Sequence, residues 1–161
     1  MVLDLKLLFS GGEPINIDYS FTPSQDDVSG ISEVKVSGKL NGLSSVVYMK
    51  LRAQFSLTRD CDRCAEEFVR DYDIPVDHIL VTSVNNEDND EFIIVEDFSL
   101  DLDELVLSDI QLALPMKHLC APDCRGLCPH CGTNLNLGNC GCSEKEIDPR
   151  LEILRRLIDE E

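Results

Sequence analysis

The chain has 161 residues and a mass of 18.0 kDa, a length that suits one compact domain or one domain with a small appendage. It is 43% hydrophobic and 28% charged, enough apolar matter to bury a core. Its 31 acids against 14 bases give a net charge of −17, which argues against a general nucleic-acid coat or attachment to anionic lipid, since both need basic surface.

No apolar run approaches the roughly 20 residues of a membrane span. Residues 2–9 are apolar-rich, carry Asp4 where an export signal wants basic charge, and break at Gly11-Gly12. They read as a strand of a cytosolic chain. Ile15, Ile17, Tyr19 and Phe21 alternate as a half-buried strand does. Val34, Val36 and Leu40 continue the alternation around Gly38, and Asn41-Gly42 predicts a hairpin turn. Val47, Met49, Leu51, Ala53, Phe55 and Leu57 then occupy every second position, with Lys50, Arg52, Gln54, Ser56 and Thr58 in the other register. That pattern predicts one buried and one wet face. The run ends at Cys61-Asp-Arg-Cys64, after which Phe68, Tyr72, Ile74, Val76 and Leu80 share a face. The cysteine pair therefore sits at a connection between two long strands.

Residues 85–91 form a polar loop within an acidic run from Glu87 to Glu104 that holds no base. A solvated segment is the plain reading, and a docking surface for a basic partner is the functional one. Phe92 to Val95 is a short strand. Asp101 resembles an N-cap with Glu104 three residues on. Leu102, Leu105, Val106, Ile110 and Ala113 fit one helical face, and Pro115 stops it. Residues 116–143 hold six cysteines and little periodicity, so they need a cross-link other than a core. Asp148-Pro149 predicts the start of a C-terminal helix with Leu151, Leu154 and Leu157 or Ile158 as its stripe. The fold predicted is α+β: a mostly antiparallel sheet with one central helix near 101–114, a cysteine-rich metal-binding segment and a C-terminal helix. Residues 1–114 form the β-rich domain, and residues 115–161 the metal segment with its helix.

The eight cysteines fall into four close pairs: Cys61/Cys64, Cys120/Cys124, Cys128/Cys131 and Cys140/Cys142. A reducing compartment rarely keeps disulfides, and four thiolates suit one tetrahedral zinc, with short spacings aiming two ligands from one turn. Gly132, just after Cys131, lets the backbone turn tightly. The simplest pairing joins Cys128, Cys131, Cys140 and Cys142 locally and Cys61, Cys64, Cys120 and Cys124 across the chain. A crossed pairing, Cys61/Cys64 with Cys128/Cys131, is equally open, as is one site from Cys120, Cys124, Cys128 and Cys131. Cys61-Asp-Arg-Cys64 could also be a redox pair with Arg63 lowering a thiol pKa, but it lacks the strand-to-helix setting and leaves six cysteines unexplained. The spacings match neither common ferredoxin run. One to two structural zinc ions are expected, because a catalytic zinc keeps an open position. His78 reads as a packed or half-exposed strand residue, and His118 and His130 would compete with a full thiolate set. No Ser/His/Asp arrangement, phosphate-cradling loop or distinctive carboxylate pair accompanies them, so no catalytic residue is expected.

Cys61-Asp-Arg-Cys64 after a long strand, Leu114-Pro-Met116, Cys124-Arg-Gly-Leu-Cys-Pro-His-Cys-Gly-Thr-Asn-Leu-Asn136, Cys140-Gly-Cys142 and Asp148-Pro-Arg-Leu151 follow in that order. This string closely resembles the YceD family, the large ribosomal RNA subunit accumulation proteins, over about residues 45–158. The resemblance implies a non-enzymatic cytoplasmic factor supporting synthesis, processing or stability of the large-subunit (23S) ribosomal RNA. Its partner would be that RNA or a ribosomal or assembly protein, with no membrane and no small-molecule substrate. From Leu112 to Ser143 the only acid is Asp123. Lys117 and Arg125 there, with Arg63, Lys50 and Arg52 from the strands, make a candidate RNA-binding face. The alternative is a zinc-bearing adaptor that binds a ribosomal protein or the transcription machinery without touching RNA.

Overall fold

A computed structural model describes residues 1–24, 29–83 and 92–142. Strand β1 (Val2–Asp4) leads into a one-turn helix, α1 (Lys6–Phe9). Strands β2 (Ile15–Phe21), β3 (Ile31–Leu43), β4 (Val46–Asp60) and β5 (Glu67–Val81) follow. After them come β6 (Phe92–Ile94), β7 (Ser99–Asp101) and helix α2 (Leu102–Ala113). Five strands form one sheet in the order β2-β3-β4-β5-β6, antiparallel except for the parallel β5–β6 pair. β1 and β7 make a separate two-stranded sheet. The architecture is α+β.

The alternating registers explain the layers. Leu40, Val47, Met49, Leu51, Val76 and Leu80 are fully buried on one face, with Leu5, Leu8, Leu102, Val106 and Ile110 of the helical segments in the same core. Burying each such side chain contributes about 1.5–3 kcal/mol. The other face carries Lys50, Arg52, Gln54 and Ser56 into solvent. β4 and β5 pair without interruption from Val46↔Val81 to Asp60↔Glu67. At about 3.3 Å per residue they form an arm roughly 50 Å long, and its connection carries Cys61 and Cys64.

Residues 2–9 are not one strand. Leu5, Leu8 and Phe9 are buried while Leu7 is 77% exposed, the i, i+3, i+4 spacing of a helical turn. The hairpin turn is not at Asn41-Gly42 either. Those residues pair with Tyr48 and Val47, and the turn lies at Ser44-Ser45, where both φ angles are positive (49° and 66°), as a two-residue hairpin of matching twist requires. Gly42 serves another need, because a β-carbon there would lie 1.9 Å from the Leu8 carbonyl oxygen. Ala113 is exposed, not part of the buried face of α2, since that face ends at Ile110. The acidic loop 85–91 and the C-terminal helix lie outside the described residues.

Candidate metal centre

The connection after β4 turns through Cys61-Asp-Arg-Cys64-Ala65. The Ala65 amide donates to the Cys61 carbonyl at 2.9 Å, with Ala65 at φ 55°. Cys128-Pro-His-Cys131-Gly132 repeats this turn. Gly132 donates to the Cys128 carbonyl at 2.9 Å with φ 72°. In each, the residue after the second cysteine takes the left-handed conformation that points both thiols to one side. Gly132 was legible as such a residue. Ala65 was not, because alanine carries no turn signal.

The sulfurs of Cys61, Cys64, Cys120 and Cys124 all lie within 4.8 Å of one another, and so do those of Cys128, Cys131, Cys140 and Cys142. The geometry thus takes the local pairing for the second set and joins the strand connection to the segment after α2 for the first. The crossed pairing and the single site from Cys120 to Cys131 are not formed. In the first set Cys61 Sγ is 3.7 Å from Cys124 Sγ and Cys64 Sγ is 3.6 Å from Cys120 Sγ. A tetrahedron with metal–sulfur bonds of about 2.3 Å has edges of roughly 3.8 Å, so the sulfur spacing fits one ion. This inner set is largely buried against Phe68 and Leu119. The outer set is more open, with Cys131 and Cys142 exposed.

Electrostatics points the same way. Burial alone would raise the Cys61 thiol, but amides of Cys120, Arg63 and Cys64 bring it down to about 6. Burial and then the neighbouring Cys124 and Cys64 push Cys120 up to about 12. In the outer set the Thr133 hydroxyl and amide bring Cys131 down to about 6, while Cys131 and burial push Cys142 up to about 12. Four thiols this close cannot all ionise without a cation between them, and a divalent cation removes that conflict.

The two sets are stitched together. Leu127 donates its amide to the Arg63 carbonyl at 3.0 Å, and Arg63 Nη1 donates to the Cys124 carbonyl at 2.8 Å. Gly126, at φ 75°, sits where a β-carbon would meet the Arg63 carbonyl oxygen at 2.9 Å. Asn136 Nδ2 donates to Cys124 Sγ at 3.3 Å, and its Oδ1 accepts from the Arg125 amide at 2.7 Å. Sequence reasoning missed Asn136, whose only signal was its place in the cysteine-rich string.

The basic residues Lys50, Arg52, Arg63, Lys117 and Arg125 do not all lie at the tip. Arg63 and Arg125 reach the cysteine tip, and Lys117 is exposed near it. Lys50 and Arg52 lie well down β4 from the tip. Arg52 stands nine positions before Cys61, roughly 30 Å of strand, and Arg52 Nε pairs with Asp73 at 2.8 Å. Arg70 Nη2 donates to the Leu119 carbonyl at 2.9 Å and its guanidinium stands over Phe68. Arg125 Nη2 donates to Asn139. Arg63, Arg70 and Arg125 each spend at least one donor on the fold, whereas Arg59 Nε is buried with no hydrogen-bond partner among the described residues. Among the histidines, His78 Nε2 lies 2.7 Å from Asp109 and ties β5 to α2, while His118 is half-buried and His130 exposed outside both sets. Among the described residues no helix is long and apolar enough to cross a membrane.

The family model described as large ribosomal RNA subunit accumulation protein YceD matches residues 49–158. An uncharacterized protein of Mycobacterium bovis is 36% identical over 74 residues, 46% of this chain and 35% of that protein. The matched part thus spans about a third of the mycobacterial relative's length. The uncharacterized protein YlbN of Bacillus subtilis is 23% identical over 158 residues, 97% of this chain and 91% of that protein. No solved structure matches the chain.

Proposed function

Because the chain belongs to the YceD family, we propose that it supports accumulation of the 23S ribosomal RNA in the cytoplasm without catalysing a reaction. The cysteine tip, held by two structural zinc ions, is its working part. One observation carries this reading: the family match at residues 49–158 runs from β4 through both four-sulfur sets. A set of four thiolates fills the coordination of a zinc ion and leaves no position for a substrate, the mark of a structural site.

Contact with a protein, not with the RNA itself, is favoured by how the tip arginines are used. Arg63 and Arg70 donate to backbone carbonyls, and Arg52 is paired far from the tip. Among the described residues of the tip, few cations remain to neutralise phosphates, on which RNA affinity chiefly rests. The test is the ratio of 23S to 16S RNA in cells lacking the gene and in cells carrying Cys61→Ser with Cys64→Ser. Both should show a lower ratio, and an unchanged ratio on deletion would overturn the proposal. Titration of labelled 23S fragments with purified protein should show weak binding with a log–log salt slope no steeper than roughly −3. A steep slope would return the contact to RNA.

A further inference from the structure

An open cleft of about 650 Å³ takes in the outer side of the inner cysteine set and the surface next to it. Cys64, Cys120 and Cys124 line it on the side of the metal set. Glu66 and Asp123 contribute carboxylates, Arg125 the one cationic side chain, and Leu137, 85% exposed, an apolar wall.

The groups that build the cavity and those that remain free can be told apart. Asn134 Nδ2 donates to Glu66 Oε1 at 3.3 Å, and the Asn136 amide donates to Asn134 Oδ1 at 3.0 Å. Asn136 holds Cys124 Sγ and the Arg125 amide. These amides are therefore occupied in shaping the wall. Asp123 has no hydrogen bond or ion pair among the described residues, and one Glu66 oxygen is unused. Four thiolates on a divalent cation remain net anionic, which adds to the field of the two carboxylates and outweighs Arg125. A phosphate is repelled by such a wall. A guanidinium fits it: the fork of donors suits carboxylates, and its methylene stem can lie along Leu137.

Resting on the reading that the tip serves 23S RNA accumulation through a protein, we infer that this cavity seats an arginine side chain from a basic, extended polypeptide segment. The net charge of −17 would draw such a segment in, and the cavity would fix its register.

The test uses the zinc-loaded full chain and N-acetyl-arginine methylamide, with the neutral citrulline analogue as control. Amide resonances of Asn134, Asn136 and Leu137 should shift saturably with the arginine probe and not with the citrulline one. Asp123→Asn should weaken binding at least threefold. Asp18→Asn, which removes an equal charge from exposed β2, should leave it unchanged. Equal loss in both variants, or no saturable shift, overturns the inference. So does a short guanosine- and uridine-containing RNA oligomer that shifts the same amides at lower concentration. In cells, Asp123→Asn should lower the 23S to 16S ratio. If deletion lowers the ratio while Asp123→Asn leaves it normal, the cavity assignment falls and the ribosomal reading stands. If deletion leaves the ratio normal, that reading itself falls.

Discussion

An alanine at position 42 would set its β-carbon 1.9 Å from the Leu8 carbonyl oxygen, so α1 and β3 can meet only across a glycine. Gly42→Ala should cost about 1–3 kcal/mol, as overpacking does. It would be read as a lower urea midpoint with an unchanged slope. Ala65 presents the opposite case, an L residue at φ 55° in a turn whose twin at Gly132 has no β-carbon. Ala65→Gly should relieve that conformation and stabilise the protein by about 0.5–1 kcal/mol, measured in the same way. These two positions mark what is legible at this scale. A glycine in the sequence says that a β-carbon is unwelcome, not whether a turn or a neighbouring backbone forbids it. Asn-Gly at 41–42 looked like a turn because the close approach of Leu8 comes from a helix 33 residues earlier. A strained alanine announces nothing.

Helix α2 begins where its capping signal predicts. Asp101 Oδ1 accepts from the Asp103 amide at 3.1 Å, with a longer contact of 3.5 Å to the Glu104 amide. Burial works against the Asp101 carboxylate, but the Glu104 and Asp103 amides and the N-terminal ammonium outweigh it and hold its pKa below the usual value. Asp101→Ala should therefore cost about 1 kcal/mol. The cap's contribution is fully present above the ordinary aspartate range, near 3.9, and is lost as pH falls through the lower folded-state pKa. The stability gap between wild type and variant should accordingly close in acid, as followed by urea titrations at several pH values. β2 to β5 and α2 were readable because each repeats its period several times. β1 and α1 were not, since three- and four-residue elements repeat nothing. The parallel pairing of β6 with Ile79–Val81 depends on a partner that no local pattern names.

The described molecule divides into a body held by apolar packing and a tip held by sulfur. Residues 116–142 supply Cys124 and Cys128 as their only buried apolar side chains. Chelation should release two zinc ions per chain and expose this segment to protease while the far-ultraviolet β signal persists, because a structural site contributes its binding energy to the fold around it. Cys140→Ser with Cys142→Ser should leave one ion, held by the buried inner set. Cys61→Ser with Cys64→Ser should lower occupancy of both, since the outer loop rests on the Arg63 carbonyl through Leu127. Zinc per chain by elemental analysis checks each outcome. That the cysteines would gather in fours, as a metal site needs, could be read from four short-spaced pairs. Which pairs come together could not, because the inner partners lie 56 and 63 residues apart, with β5, β6, β7 and α2 between them. The length of β4 likewise sets Lys50 and Arg52 far from the tip, a distance that residue types alone do not disclose.

The same separation sets a clock during synthesis. Cys61 leaves the ribosome 63 residues before Cys124, which at about 5–20 residues per second is roughly 3–13 s. For that interval the nascent chain carries a thiol pair without the other half of its set, open to oxidation or to a competing soft metal. The inner set is therefore the step at which a shortage of zinc or an oxidising stress would first be felt as misassembled chains.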